Sequence, residues 1–334
     1  YNPRLSRNRI VFSKLQCMCW FEYKGSKYNL VALEAGLYMC ESKGRWKKII
    51  GGDNYVQMQV DSEIGIVVVL TEKQLGYYPI HQILNVYNET KLNLTCIPLS
   101  KDTVLFFEMG RHKNVKMLFY AKKKTNGSIH FKVMIPQIDN GGIFSRFKDH
   151  ARFYIEAECF GISIFNSSFA VHTDKGFEIL TLDKLIPSSV PELPPPVETE
   201  KKKADPYATR KSKPTSLVET IRMLINAKYK PMGMYKLNNN KEFLLVYKEY
   251  AIFINKHGKP SRDFIIHFKA HHVYFENNYL FVINDQLIEV WHIGDHPKKA
   301  QVIIGKDIKH LGQNGFSMAN PLVPGLQLVF RLVE

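Results

Sequence analysis

One hairpin recurs along this chain: a short apolar run, a tight polar turn and a second apolar run. It reads Leu30-Val31-Ala32-Leu33, then Glu34-Ala35-Gly36, then Leu37-Tyr38-Met39-Cys40. Further copies lie at residues 67–70 with 75–78, 169–172 with 177–180, 244–247 with 250–253 and 280–283 with 287–290. A copy with a longer loop joins residues 105–108 to 115–118. Such a unit cannot bury its apolar face alone, so the repetition demands neighbours that stack on one another. The second runs begin near residues 37, 75, 115, 177, 250 and 287. Three of those intervals are roughly 37 to 40 residues, close to the blade length of a propeller. The last run, residues 326–333, has nothing after it to pair with. In a closed ring such a strand joins a blade with the other chain end, which hides sheet edges. The expected fold is all-β: a seven-bladed β-propeller of four-stranded antiparallel blades, with one short helix and one long flexible loop.

Composition agrees with a ring. A chain of 334 residues carries a prior of about two domains, but blades that pack only on their neighbours escape the size limit of one core. Residues 1–334 therefore read as one propeller domain. Aromatic side chains, 12% of residues, sit in the short apolar runs that suit pleated, half-buried strands. No run approaches the roughly 20 apolar residues needed to cross a bilayer, and no signal-peptide pattern opens the chain. The first residue is Tyr1, not Met, so the chain reads as a fragment of a longer protein whose catalytic part lies elsewhere. Five cysteines, an odd number, argue against a disulfide framework and for a reducing, cytoplasmic compartment. Cys17 and Cys19 share a strand face and read as small buried hydrophobes more readily than as half of a metal site.

Between residues 187 and 215 the rhythm breaks. Pro191, Pro194, Pro195 and Pro196 are followed by alternating charges up to Lys201-Lys202-Lys203, with almost no large apolar residue. Such a run cannot bury enough surface to offset ordering and is expected to be the flexible loop. Immediately after it, Ser216-Leu217-Val218-Glu219 has capping-box spacing, and Leu217, Ile221, Leu224 and Ile225 recur at helical spacing.

The search for chemistry returns absences. There is no phosphate-cradling glycine loop, no dinucleotide fingerprint, no His-Glu-x-x-His and no nucleophile elbow. The twelve histidines are dispersed; His271 and His272 are adjacent and face opposite sides of a strand, while His112 and His310 stand alone in polar turns. The formal net charge is +15, a field that favours acidic partners. The basic clusters fall on scattered turns, not on one stripe, so no nucleic-acid partner is expected.

Residues 230–311 are the most specific stretch. Lys230-Pro231-Met232-Gly233-Met234-Tyr235 leads into Glu242-Phe243-Leu244-Leu245-Val246-Tyr247 and Tyr250-Ala251-Ile252-Phe253-Ile254-Asn255. The turn Lys256-His257-Gly258-Lys259-Pro260-Ser261-Arg262 follows, and then Leu287-Ile288-Glu289-Val290-Trp291. This resembles the citron homology (CNH) domain, most of all the copy at the carboxyl end of fungal Rho guanine nucleotide exchange factors. Over the first 150 residues the resemblance rests on repeat rhythm. It implies a non-catalytic scaffold with no cofactor and no metal, binding a Rho-type small GTPase and other proteins of cell-wall integrity signalling. It also implies a cytoplasmic protein at plasma-membrane sites of polarised growth, with an acidic membrane surface as a further partner. The alternatives are the CNH tail of a Ste20-type or citron-type kinase, or a basic propeller for phosphoinositide membrane or nucleic acid. No catalytic residue transfers. The contact residues expected from the basic turns are Lys256, Lys259 and Arg262 in one turn and Arg45, Lys47 and Lys48 in another.

Overall fold

In the computed structural model, which describes residues 2–5, 14–42, 44–89, 93–196 and 216–333, the chain forms seven four-stranded antiparallel sheets. Blade 1 contains, from the axis outward, Leu15–Tyr23, Ser26–Leu33, Gly36–Glu41 and Lys47–Ile50. The innermost strands of blades 2 to 7 are Tyr55–Asp61, Phe106–His112, Cys159–Ile164, Pro231–Lys236, His272–Glu276 and Lys309–Gly312. These first strands pack against those of the neighbouring blades and so line the axis. Blade 7 is composite, as expected. Its outermost strand is Asn2–Leu5, paired with Gln327–Val333 in the register Asn2 to Val333 through Leu5 to Phe330.

The ring explains why the repeated hairpins read as unbroken apolar runs and not as alternation. A second or third strand has a neighbouring blade on each face, so both sets of side chains are buried. Every residue of Ile66–Thr71 and of Phe169–Thr173 is buried. The outermost strand of blade 6, Lys298–Ile304, is largely solvated, with Ile304 81% exposed.

Polar side chains then join blade to blade. Gln57 Nε2 donates to the Phe107 carbonyl at 2.7 Å, and its amide oxygen accepts from Phe107 N at 3.2 Å. Ser163 Oγ, 2.7 Å from His172 Nε2, accepts from Met234 N. Trp20 Nε1 donates to Asn314 Oδ1 at 3.0 Å and joins blade 1 to blade 7. Lys116 and Asp61, both largely buried, meet at 2.6 Å between blades 3 and 2.

Five expectations change. The hairpin at residues 105–118 is out of phase: it joins the first and second strands of blade 3, Phe106–His112 and Val115–Lys123, whereas the other copies are second-to-third hairpins. Residues 151–155 accordingly lie in the outermost strand of blade 3, Phe144–Ile155. Two helices are present among the described residues, not one. α1, Ile80–Asn88, fills the connection between the third and fourth strands of blade 2, and α2, Leu217–Asn226, lies where the sequence placed it. Ser216 Oγ caps α2 by accepting from Glu219 N, while the Glu219 carboxylate turns to Arg222 instead of back to the cap.

The fourth change concerns residues 187–215, expected to be one flexible loop. Ser188–Val190 is instead the outermost strand of blade 4, and Leu193 packs with Ile221 and Tyr250. Residues 197–215 lie outside the described residues. His112, read as a turn residue, is fully buried at the end of its strand with Nδ1 2.9 Å from the Phe165 carbonyl. All five cysteines are free, and burial pushes the Cys17 thiol up to about 12.

Candidate interaction surface

Four antiparallel strands place their connections alternately at the two ends of a blade. The first and third connections of every blade share one face of the ring, and the second connections and blade-to-blade crossovers share the other. Residues 256–265 form the third connection of blade 5, and residues 42–46 the third connection of blade 1. The two basic turns that sequence alone could not relate thus lie on one face, on blades separated by at least two others.

The blade 5 turn is rigid. Asn255 Oδ1 accepts from His257 N and Lys259 N, Gly258 N donates back to the Asn255 carbonyl, and Ile254 bridges to Pro260. Gly258 adopts φ +81°, and a Cβ there would lie 2.8 Å from the Val190 side chain. This arrangement leaves Lys256 and Lys259 exposed.

Arg262, four residues beyond Gly258, does something else. Its guanidinium forms a two-pronged pair with Glu242 at 2.9 and 3.0 Å, donates to the Gly294 carbonyl at 2.7 Å, and stacks 3.9 Å from the Phe253 ring centroid. Only 10% of the side chain is exposed. The same carboxylate accepts from Ser261 and Asn239, and the Arg262 bond, followed by the Ser261 and Asn239 bonds, holds Glu242 below the usual carboxylate range. Arg262 therefore ties blade 5 to the third connection of blade 6.

The blade 1 cluster of Arg45, Lys47 and Lys48 is exposed throughout, although Lys47 also has a partner within the protein. Lys47 Nζ donates to the Tyr87 carbonyl at 3.0 Å and sits 4.7 Å from the Tyr87 ring centroid. Its charge meets the negative end of α1, where a cation is favoured. Among the expected contact residues, Lys256, Lys259, Arg45, Lys47 and Lys48 are exposed, Lys47 while bonded to the Tyr87 carbonyl, and Arg262 alone is engaged within the protein. Lys47 and Lys48 open the strand Lys47–Ile50 and are not turn residues.

Beside the Arg262 staple lies an open cleft of about 830 Å³. Its walls are Leu217 and Val218 from the first turn of α2, Lys241 from the first connection of blade 5, Asp263 from the third, and Asp295 and His296 from blade 6. The cleft was not visible in the sequence because its walls come from four segments far apart in the chain. A group of three or more metal-ligating side chains does not occur among the described residues. No helix among them is long and apolar enough to cross a membrane.

Comparison with known proteins agrees with this architecture. Residues 25–314 match the CNH domain family. The chain is 23% identical to Rho1 guanine nucleotide exchange factor 3 of Schizosaccharomyces pombe over 97% of its own length and 25% of that protein. It is 24% identical to Rho1 guanine nucleotide exchange factor TUS1 of Saccharomyces cerevisiae over 92% of its own length and 26% of that protein. It thus spans about a quarter of the length of these relatives. In structure it is similar to the AfRom2 CNH domain, with a TM-score of 0.76 at 19% identity, covering 100% of this chain and 99% of that one. A more distant structural match is BBS1N, with a TM-score of 0.53 at 10% identity, covering 98% of this chain and 94% of that one. With seven four-stranded blades and a family match across most of its length, this chain belongs to the CNH domain family.

Proposed function

We propose that this chain is the non-catalytic docking propeller of a Rho-type guanine nucleotide exchange factor, and that it binds a Rho-type small GTPase. The observation that carries this reading is the match of nearly the whole chain to one region of fungal Rho1 exchange factors. The exchange chemistry then belongs to other parts of the parent protein, and this domain serves cell-wall integrity signalling in the cytoplasm at sites of polarised growth. The contact face is the one that carries the third connections. There Lys256 and Lys259 project from a fixed turn, which suits an acidic partner because little side-chain order beyond the two lysines is lost on binding.

Titration of the purified chain with a Rho-type GTPase, loaded in turn with each nucleotide, tests the reading by calorimetry. The expected result is saturable binding with a dissociation constant on the order of 10 µM or tighter. Lys256→Glu with Lys259→Glu weakens it by about tenfold or more, as expected for charges that steer and fix a partner. Arg262→Ala lowers the melting temperature because it leaves Glu242 unpaired. No binding in either nucleotide state at high micromolar concentration overturns the assignment.

A further inference from the structure

The innermost strands of the seven blades all start on the face opposite Lys256 and Lys259, so the residues at their starts ring one mouth of the axial channel. At four successive blades these residues are cationic or imidazole-bearing. Lys230 precedes the blade 5 strand, His271 and His272 open blade 6, Lys309 opens blade 7, and Lys14 precedes the blade 1 strand. All five are exposed. None of the three lysines makes an ion pair with a carboxylate among the described residues. Lys309 Nζ donates instead to the Leu15 carbonyl at 3.1 Å, and Lys230 lies 4.8 Å from the Phe160 ring centroid.

The groups are close enough to feel one another. Partial enclosure at the mouth and then the charges of Lys230, His271 and Lys309 hold the His272 imidazole below its ordinary value. Partial enclosure and then Lys14 do the same to Lys309, although both side chains still reach solvent. Acids also occur on this face, Asp307 just before Lys309 among them, but among the described residues none forms an ion pair with the three lysines. Glu249 faces the Tyr229 hydroxyl, Asp53 pairs with Lys73, and Glu158 precedes the innermost strand of blade 4, next to blade 5, without pairing with Lys230. A one-sided arc of positive charge at a channel mouth focuses an attractive field on anions.

We propose that this mouth is an anion site for a phosphate-bearing ligand. The cations converge from separate strands toward one opening and are not laid out as a stripe. That geometry suits a compact group carrying about two negative charges on several acceptor oxygens, which lysines bind as point charges. An extended acidic peptide would need its partners in a line. The phosphate could be carried by a soluble inositol phosphate or by a phosphoinositide headgroup. Both sources present the same chemistry to the site, which lies on the face opposite the turn proposed to meet the GTPase.

Isothermal titration with inositol hexakisphosphate in phosphate-free buffer tests the site, and co-sedimentation with phosphatidylcholine vesicles, with and without phosphatidylinositol bisphosphate, separates the two sources. Binding is expected to fall about tenfold or more in Lys230→Gln with Lys309→Gln, to fall likewise in Lys14→Gln with Lys230→Gln, and to weaken steeply with salt. Lys256→Gln with Lys259→Gln serves as the control and is expected to leave it unchanged, with unaltered melting temperatures showing that each variant folds. Binding to the soluble phosphate alone assigns a soluble source, and binding to phosphoinositide vesicles alone assigns a lipid; either supports the site. Failure to bind both, equal loss in the control pair, or binding of a glutamate-rich peptide in place of either phosphate overturns it.

Discussion

Glu108 shows how a single side chain is set by the ring around it. It lies on the innermost strand of blade 3, and among the described residues no cation or hydrogen-bond donor meets its carboxylate. Burial alone pushes its carboxyl up to about 8. A carboxyl raised in this way binds its proton more tightly folded than unfolded. Stability is therefore full below the ordinary carboxylate range, declines as pH rises from about 4.5 toward 8, and is level above that. Glu108→Gln is expected to raise stability at pH 8 by about 2 kcal/mol, less than the ~5 kcal/mol such a shift would allow, because the residue keeps partial contact with solvent. Thermal melts of both proteins at pH 4 and pH 8 check this: the gap is expected to vanish at pH 4, and a gap independent of pH refutes it. In the sequence Glu108 stood only as the end of an apolar run, and nothing local marks a carboxyl that the ring will enclose. The candidate contact residues were legible to a similar degree. A basic turn identifies exposed lysines well, as at Lys256 and Lys259. It cannot show that Arg262 in the same turn meets Glu242 and Gly294, because those partners are about 20 and 32 residues away.

Except in blade 3, where the hairpin was read one strand out of phase, the hairpins whose pattern is fixed by the two neighbouring blades were read correctly; elements shaped by one local contact were not. Second and third strands are sandwiched between blades, so their sequences become continuous apolar runs, and these carried both the architecture and the family. α1 lacks such a signature. Pro79 precedes it without a side-chain cap, and Ile80, Ile83 and Val86 are β-branched residues that read as strand. Only the spacing of Ile80, Ile83, Leu84 and Tyr87 gives the helix away. Its stability comes from packing: Ile83 and Leu84 join the cluster that contains Leu37 and Val69 of blades 1 and 2. Ile83→Ala is expected to cost about 2 to 5 kcal/mol, the range for a fully buried large side chain. A fall in melting temperature without loss of strand circular dichroism supports this, and an unchanged melt counts against the packing role of α1. Ser188–Val190 was missed for the related reason that a three-residue outermost strand next to prolines has too little pattern to be read.

At the scale of the molecule the two ends of the described chain meet in blade 7, where Asn2–Leu5 covers the edge of Gln327–Val333. An uncovered edge strand presents unpaired backbone groups that recruit other chains. Removing residues 1–5 is expected to lower the melting temperature and to add a dimer or larger species in size-exclusion chromatography with light scattering. A truncated chain that stays monomeric and equally stable would show that the seam contributes nothing. The direction of that seam also sets its response to load. Asn2 lies opposite Val333, and the pairing runs inward from there to Leu5 and Phe330. Tension applied to the two ends therefore peels the ladder one pair at a time and does not shear all four pairs together. The propeller is closed against heat by its packed blades but fastened against force by a zip that opens from the Asn2–Val333 pair.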